Sequence, residues 1–192
     1  MATTDKPRGH ASVRAALIGA ASRLFAERGV KAVSVREIAR AASVNHGLVH
    51  RHFGSKANLL QEVMQSLSAE VATEMGSPRS GERLDEILAG ALSATTARGL
   101  HWRILARALL DGEDPATLQA EYPVVRRMLD AARQEPSASL SAEARVTILL
   151  ALTLGMLLFS PYLQRATGQD DAQWEQVRAE ITRFALQSLA LR

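Results

Sequence analysis

Three imidazoles crowd one short segment. In N-H-G-L-V-H-R-H-F, residues 45 to 53, His46 and His50 stand four apart, the spacing that puts two metal ligands on one helical face, and His52 follows two residues later. Zinc wants three or four ligands. His52 is half a turn out of phase with His50, and the only acids in the region are Glu37 and Glu62. The metalloprotease pattern H-E-x-x-H fails as well, because Gly47 stands where the general base belongs. No metal and no other cofactor is expected. Nor is catalysis: the chain offers no Ser-His-Asp set, no Gly-rich phosphate loop and no paired carboxylates at interpretable spacing. The same residue types can instead reach nucleic acid, where imidazoles and amides contact phosphate and base edges, the imidazoles with a strength that depends on pH near neutrality.

The charge distribution favours that second chemistry. Residues 1 to 60 hold ten Lys or Arg against three acids, whereas the remaining chain holds thirteen against seventeen. A basic module joined to a mildly acidic one implies a polyanionic partner for the first and a different task for the second. With 192 residues, 47% of them hydrophobic, the chain can bury a real core. It has no cysteine, hence no disulfide or thiolate zinc site, and its start, M-A-T-T-D-K-P-R-G-H, lacks the apolar run of a signal peptide. A cytoplasmic location is expected.

What must position these residues is helical. Apolar residues recur at three- and four-residue spacing almost throughout, with no sustained alternation of β-branched residues, so the fold class is all-α with about nine helices. Val13, Leu17, Ala20, Ala21, Leu24 and Phe25 form the stripe of a first helix over 11–28, stopped by Gly29. Ser34 and Glu37 make a capping box, S-V-R-E, for a short helix ending at Ala42. Asn45 can cap a second short helix ending near Phe53, and Ser55 a longer one to about Met75. G-S-P-R-S-G, residues 76 to 81, reads as a linker. Further helices are expected at about 82–97, 100–110, 115–132, 141–165 and 171–190, with Pro123 splitting or restarting the third of these.

Two short helices joined by a tight turn and braced by a longer one describe a helix-turn-helix, with Ile38, Ala39, Val44 and Val49 meeting between them. At this point A-E-R-G-V-K-A-V-S-V-R-E-I-A-R-A-A-S-V-N-H-G-L-V-H-R-H-F-G-S-K-A-N-L-L, residues 26 to 60, resembles the DNA-binding region of the TetR/AcrR family of bacterial transcriptional regulators. The likeness lies in F-A-E-R-G, S-V-R-E-I-A and H-F-G-S-K-x-x-L-L. It implies a three-helix DNA-binding domain over 10–56, its helix-turn-helix at about 34–53, and a helical effector-binding and dimerisation domain over 57–192. It also implies a homodimeric repressor that a small-molecule effector releases from a palindromic duplex operator. The expected DNA contacts are Ser34, Arg36, Asn45, His46, Gly47, Leu48, His50, Arg51, His52 and Lys56, with His46 reading bases and His52 and Lys56 holding phosphate. The chain departs from the family where Leu48, Val49 and His50 replace a usual Thr then Leu-Tyr, and where Ser43 replaces a usual turn glycine.

Beyond residue 60 the signals thin out. His101, Trp102, Tyr122, Met128 and Phe159 are the candidates for a ligand cavity, an apolar site with a few polar groups. Val146 to Gln164 carries no charge and nearly reaches the length of a membrane span, but Thr147, Thr153, Gly155, Ser160 and Pro161 dilute it and no second span exists. It is expected to be a covered helix of a protein that does not enter the membrane. Leu149, Leu152 and Met156, with Trp174, Val177, Ile181 and Phe184 of the last helix, are expected to pair with their copies in a second subunit. The alternative, a helical ligand-binding or enzymatic protein with a basic end of no specific DNA affinity, leaves the concentration of basic residues around a capped helix-turn-helix without an explanation.

Overall fold

The computed structural model describes residues 9–96, 100–135 and 140–190. Among them are ten helices and no strand: α1 (His10–Arg28), α2 (Val35–Ala41), α3 (Gly47–Phe53), α4 (Lys56–Glu74), α5 (Leu84–Thr96), α6 (Leu100–Leu110), α7 (Pro115–Leu118), α8 (Pro123–Gln134), α9 (Ala142–Thr167) and α10 (Asp171–Ala190). The tenth arises where Pro123 restarts the chain. Asp114 accepts the Ala116 N–H to begin α7, which lasts one turn before extended backbone at Gln119 leads to Pro123 at the start of α8.

The helices form two compact units. The first comprises Met1–Glu70 and Leu100–Glu121, and the second Val71–Gly99 and Tyr122–Arg192. In the first, Leu17, Ala21 and Phe25 of α1 are fully buried together with Ile38, Leu59, Val63, Met64 and Ile104, so α1 is the centre on which α2, α4 and α6 close. Gly29 ends α1 at φ 84°, a conformation that disfavours any side chain, beside Arg107 of α6 and Asp111 just after it. In the second unit Leu84, Ile87, Met128, Ala132, Val146 and Leu149 form the core between α5, α8 and α9. Arg127 of α8 ties down the G-S-P-R-S-G segment by pairing with Glu82 and donating to the Gly76 carbonyl at 2.8 Å. Arg145, buried in the first turns of α9, donates to the carbonyls of Ala132 and Glu135 and so closes the C-terminus of α8, where a cation is favourable.

The turn between α2 and α3 shows why a glycine is usual there. The Val44 N–H bonds the Ala39 carbonyl and the Ser43 N–H bonds the Arg40 carbonyl, each at 3.0 Å, which is the Schellman ending of a helix. That ending places its next residue in left-handed space, and Ser43 sits there at φ 57°, alone among the described non-glycine residues. Ser43→Gly is therefore expected to raise stability by about 1 kcal/mol, less the entropy that glycine loses on folding, and Ser43→Val to lower it; thermal denaturation of the three proteins checks the order.

His101 supplies a second stability test. Its ring is 5% exposed and its Nδ1 has no partner, and burial pushes its pKa from 6.5 down to about 4. Below pH 6.5 the unfolded chain takes up a proton that the folded chain refuses, so stability falls as pH drops through this window and levels off near pH 4. The loss amounts to about 3 kcal/mol. Denaturant melts of His101→Leu should lack that part of the acid slope; an identical slope in both proteins refutes the assignment.

Candidate nucleic-acid interface

The recognition surface starts with two caps. Ser34 accepts the Glu37 N–H at 3.3 Å while Glu37 accepts the Ser34 N–H at 2.8 Å and the Ser34 hydroxyl at 2.7 Å, completing the capping box. Arg28 adds an ion pair to Glu37 at 2.7 Å. The Ser34 hydroxyl and N–H, and then Arg28, hold the Glu37 carboxyl down at about 2. At the next helix, Asn45 Oδ1 accepts the Gly47 N–H at 2.8 Å, and α3 begins at Gly47 with His46 in helical conformation just before it. A Cβ at residue 47 would lie 3.3 Å from that same oxygen, so glycine leaves room for the cap.

The inner sides of α2 and α3 are buried through Ile38, Ala39, Val49 and Phe53, with Val44 partly buried against them, as the spacing predicts. That packing turns Arg36, Arg40, Asn45, His46, His50 and Arg51 to solvent on the outer side. His46 stands at the N-terminal edge of α3, exposed and free of any cap bond. His50 Nδ1 lies 3.1 Å from the Gly54 carbonyl, an acceptor only, so the imidazole donates there and offers Nε2 outward. Neutral, that Nε2 accepts a hydrogen bond; protonated, it donates one.

Three of the sequence-predicted contacts stand differently. Leu48 is half-buried against the core, which restricts what its side chain offers to a base methyl. Lys56 Nζ donates to the carbonyls of Val30 at 3.0 Å and Val33 at 3.2 Å, so the ammonium satisfies the loop after α1 and keeps one N–H for any anion. His52 turns toward α1: its ring lies 4.2 Å from that of His10 and its Nδ1 is buried without a partner. Burial, followed by the charges of His10, Arg51 and Arg14, holds its pKa below the ordinary histidine value. The structural parts of Lys56 and His10 left no mark in the sequence, since neither a loop carbonyl nor a ring contact across 42 positions has a local pattern.

The ligand candidates divide between the two units. His101 and Trp102 belong to the first unit, neighbours on α6 with ring centroids 4.7 Å apart, the former buried and the latter half-buried. Tyr122, Met128 and Phe159 belong to the second, where Met128 is core while Tyr122 and Phe159 are 46% and 58% exposed. Of the expected dimer residues, Leu149 and Trp174 are buried within the second unit and so lie off its outer surface. Leu152 and Phe184 are exposed, and Met156, Val177 and Ile181 half-exposed. A groove of about 410 Å³ runs between α9 and α10, lined by Thr153, Met156, Leu157, Arg178, Ala179 and Thr182 among others.

Comparison with known proteins agrees with the outward basic face. Residues 17–63 match the family described as bacterial regulatory proteins, tetR family. The chain is 41% identical over 175 residues to the HTH-type transcriptional repressor Rv3405c of Mycobacterium tuberculosis, covering 91% of this chain and 88% of that one. Among solved structures, Salmonella enterica GusR superposes with a TM-score of 0.69 at 19% identity over 96% of this chain and 97% of its own. BioQ with its double-stranded DNA operator gives a TM-score of 0.61 at 17% identity, covering 96% of this chain and all of that one, and at such identities the likeness speaks for the fold. With its capped helix-turn-helix and a relative this similar along nearly its whole length, the chain belongs to the TetR family and is a DNA-binding transcriptional regulator.

Proposed function

We propose that the protein is a homodimeric repressor that places α3 from each of two chains into successive major grooves of a palindromic operator, about 34–36 Å apart. The observation that carries this reading is the exposure of Arg36, Asn45, His46, His50 and Arg51 on the side of α2 and α3 opposite the buried Ile38, Ala39, Val49 and Phe53. His46 and Arg36 are the base readers in this scheme, because both are exposed and neither side chain makes a hydrogen bond or ion pair among the described residues; Arg51 and protonated His50 bind phosphate. Ser34 acts through its cap, Asn45 and Gly47 through the start of α3, and residues 10–56 carry the recognition as a whole. Repression is supported by the named function of Rv3405c. The chain has no catalytic task in this reading and works in the cytoplasm, where its DNA is.

A second copy is supported by the state of α9. Among the described residues it is the one helix long and apolar enough to cross a membrane, yet only 17% of its most apolar window is buried within the chain. Ile148, Leu152, Phe159 and Tyr162 of α9 and Phe184 of α10 are exposed. A regulator that binds DNA must cover such a surface with protein, and two copies pairing these helices bury it symmetrically. Release follows when a small molecule binds the C-terminal domain over residues 57–192 and favours a conformation with the wrong α3 separation; α4 starts in the first unit and its last turn, from Val71, belongs to the second.

Two outcomes follow. Selection of bound duplex from a random pool should return a palindrome, and His46→Ala should relax preference at one position of each half-site by about 1–3 kcal/mol while leaving the salt dependence unchanged. No enrichment at low salt contradicts the regulator reading. By light scattering the wild type should have the mass of two chains and Leu152→Glu/Phe184→Glu that of one, with palindrome affinity reduced and helicity kept; a monomeric wild type contradicts the dimer.

A further inference from the structure

We propose that His10 is a positioning residue for the recognition helix: its ring, at the first position of α1, clasps that of His52 near the end of α3, and the clasp fails when both imidazoles carry charge. The inference rests on the reading of α3 as the DNA-contacting element. The rings lie 4.2 Å apart with their planes tilted by 47°. Next to them Phe53 is buried under the Arg14 guanidinium, 5.6 Å from its ring centre, and Arg14 pairs with Glu62 at 2.5 Å. Side chains of α1, α3 and α4 are thereby stacked into one column.

The charges around the pair are nearly all of one sign. From α1 come His10 itself and Arg14, from α3 Arg51, and from α4 Glu62, whose carboxylate is already engaged by Arg14. A protonated His52 must also carry an N–H at Nδ1, a buried atom with no acceptor beside it. Like charges on two rings in contact repel, so the contact that seats α3 against α1 turns from attractive to repulsive once both are protonated. With seven residues, α3 has little helical stability of its own, and a lost contact at its end moves the helix as a whole.

This role and a direct phosphate contact by His10 predict opposite outcomes. The test uses the full chain and a duplex that the wild type selects from a random pool, with circular dichroism to verify folding. At about pH 7.5, His10→Phe keeps an uncharged ring and should bind within about twofold of wild type, whereas His10→Lys places a permanent cation beside His52 and should bind about three- to tenfold more weakly, the range of one aromatic contact. In the free proteins, NMR titration of the His52 ring should shift to lower pH in His10→Lys than in wild type. Equal or tighter binding by His10→Lys with weaker binding by His10→Phe overturns the clasp in favour of a phosphate contact, and so does a His52 titration that His10→Lys leaves unmoved. If no duplex binds the wild type, the DNA reading fails while the titration still decides the clasp.

Discussion

Two helices of seven residues cannot hold themselves together, and the function depends on that weakness being overcome from inside. Each spans about two turns, far below the length at which a helix persists alone in water. What fixes α2 and α3 is burial of one side of each in the core built around α1, where Leu17, Ala21 and Phe25 are fully excluded from solvent. Burying Leu17 and Phe25 contributes roughly 1.5–3 kcal/mol each, and the caps at Ser34 and Asn45 add about 1 kcal/mol each. The outward side chains are then displayed by elements held in place by their buried sides.

Much of this was legible in the residues. Short-range rules carried it: a capping box is four residues long, an Asx cap three, a Schellman turn six, and all lie within what the chain shows at a glance. Ser43 illustrates both the reach and the limit of such rules. A serine at the turn is unusual, and the structure shows it accepting left-handed space so that Val44 can still bond Ala39. What the sequence did not announce depends on distant partners. Lys56 reads as a phosphate ligand by position but donates to carbonyls more than twenty residues away. His52 reads as part of the DNA face but packs its ring against that of His10. The place of α6 in the first unit, packed on α1, has no local signature either.

The second unit follows a different logic. Its core between α5, α8 and α9 is ordinary, held at its edges by Arg127 on Glu82 and by Arg145 on the end of α8. Its distinguishing feature is the apolar surface that α9 leaves outside that core, which the uncharged run from Val146 to Gln164 makes visible in the sequence. The run alone could not say which side chains face inward. The structure buries Leu149 and Trp174 and leaves Leu152 and Phe184 outside, a division that depends on where α8 and α5 happen to lie. The charge asymmetry of the chain fits this partition, with cations gathered where a polyanion is met.

The central claim is that the exposed side of α3 enters the major groove. A footprint of the wild-type protein on its selected duplex, combining guanine N7 methylation with hydroxyl-radical cleavage, tests it most directly. Two protected major-groove patches are expected on one face of the duplex, one helical turn apart, each losing N7 protection at a single position when His46 is replaced. Protection confined to the minor groove, or a single patch with no symmetric counterpart, would contradict it.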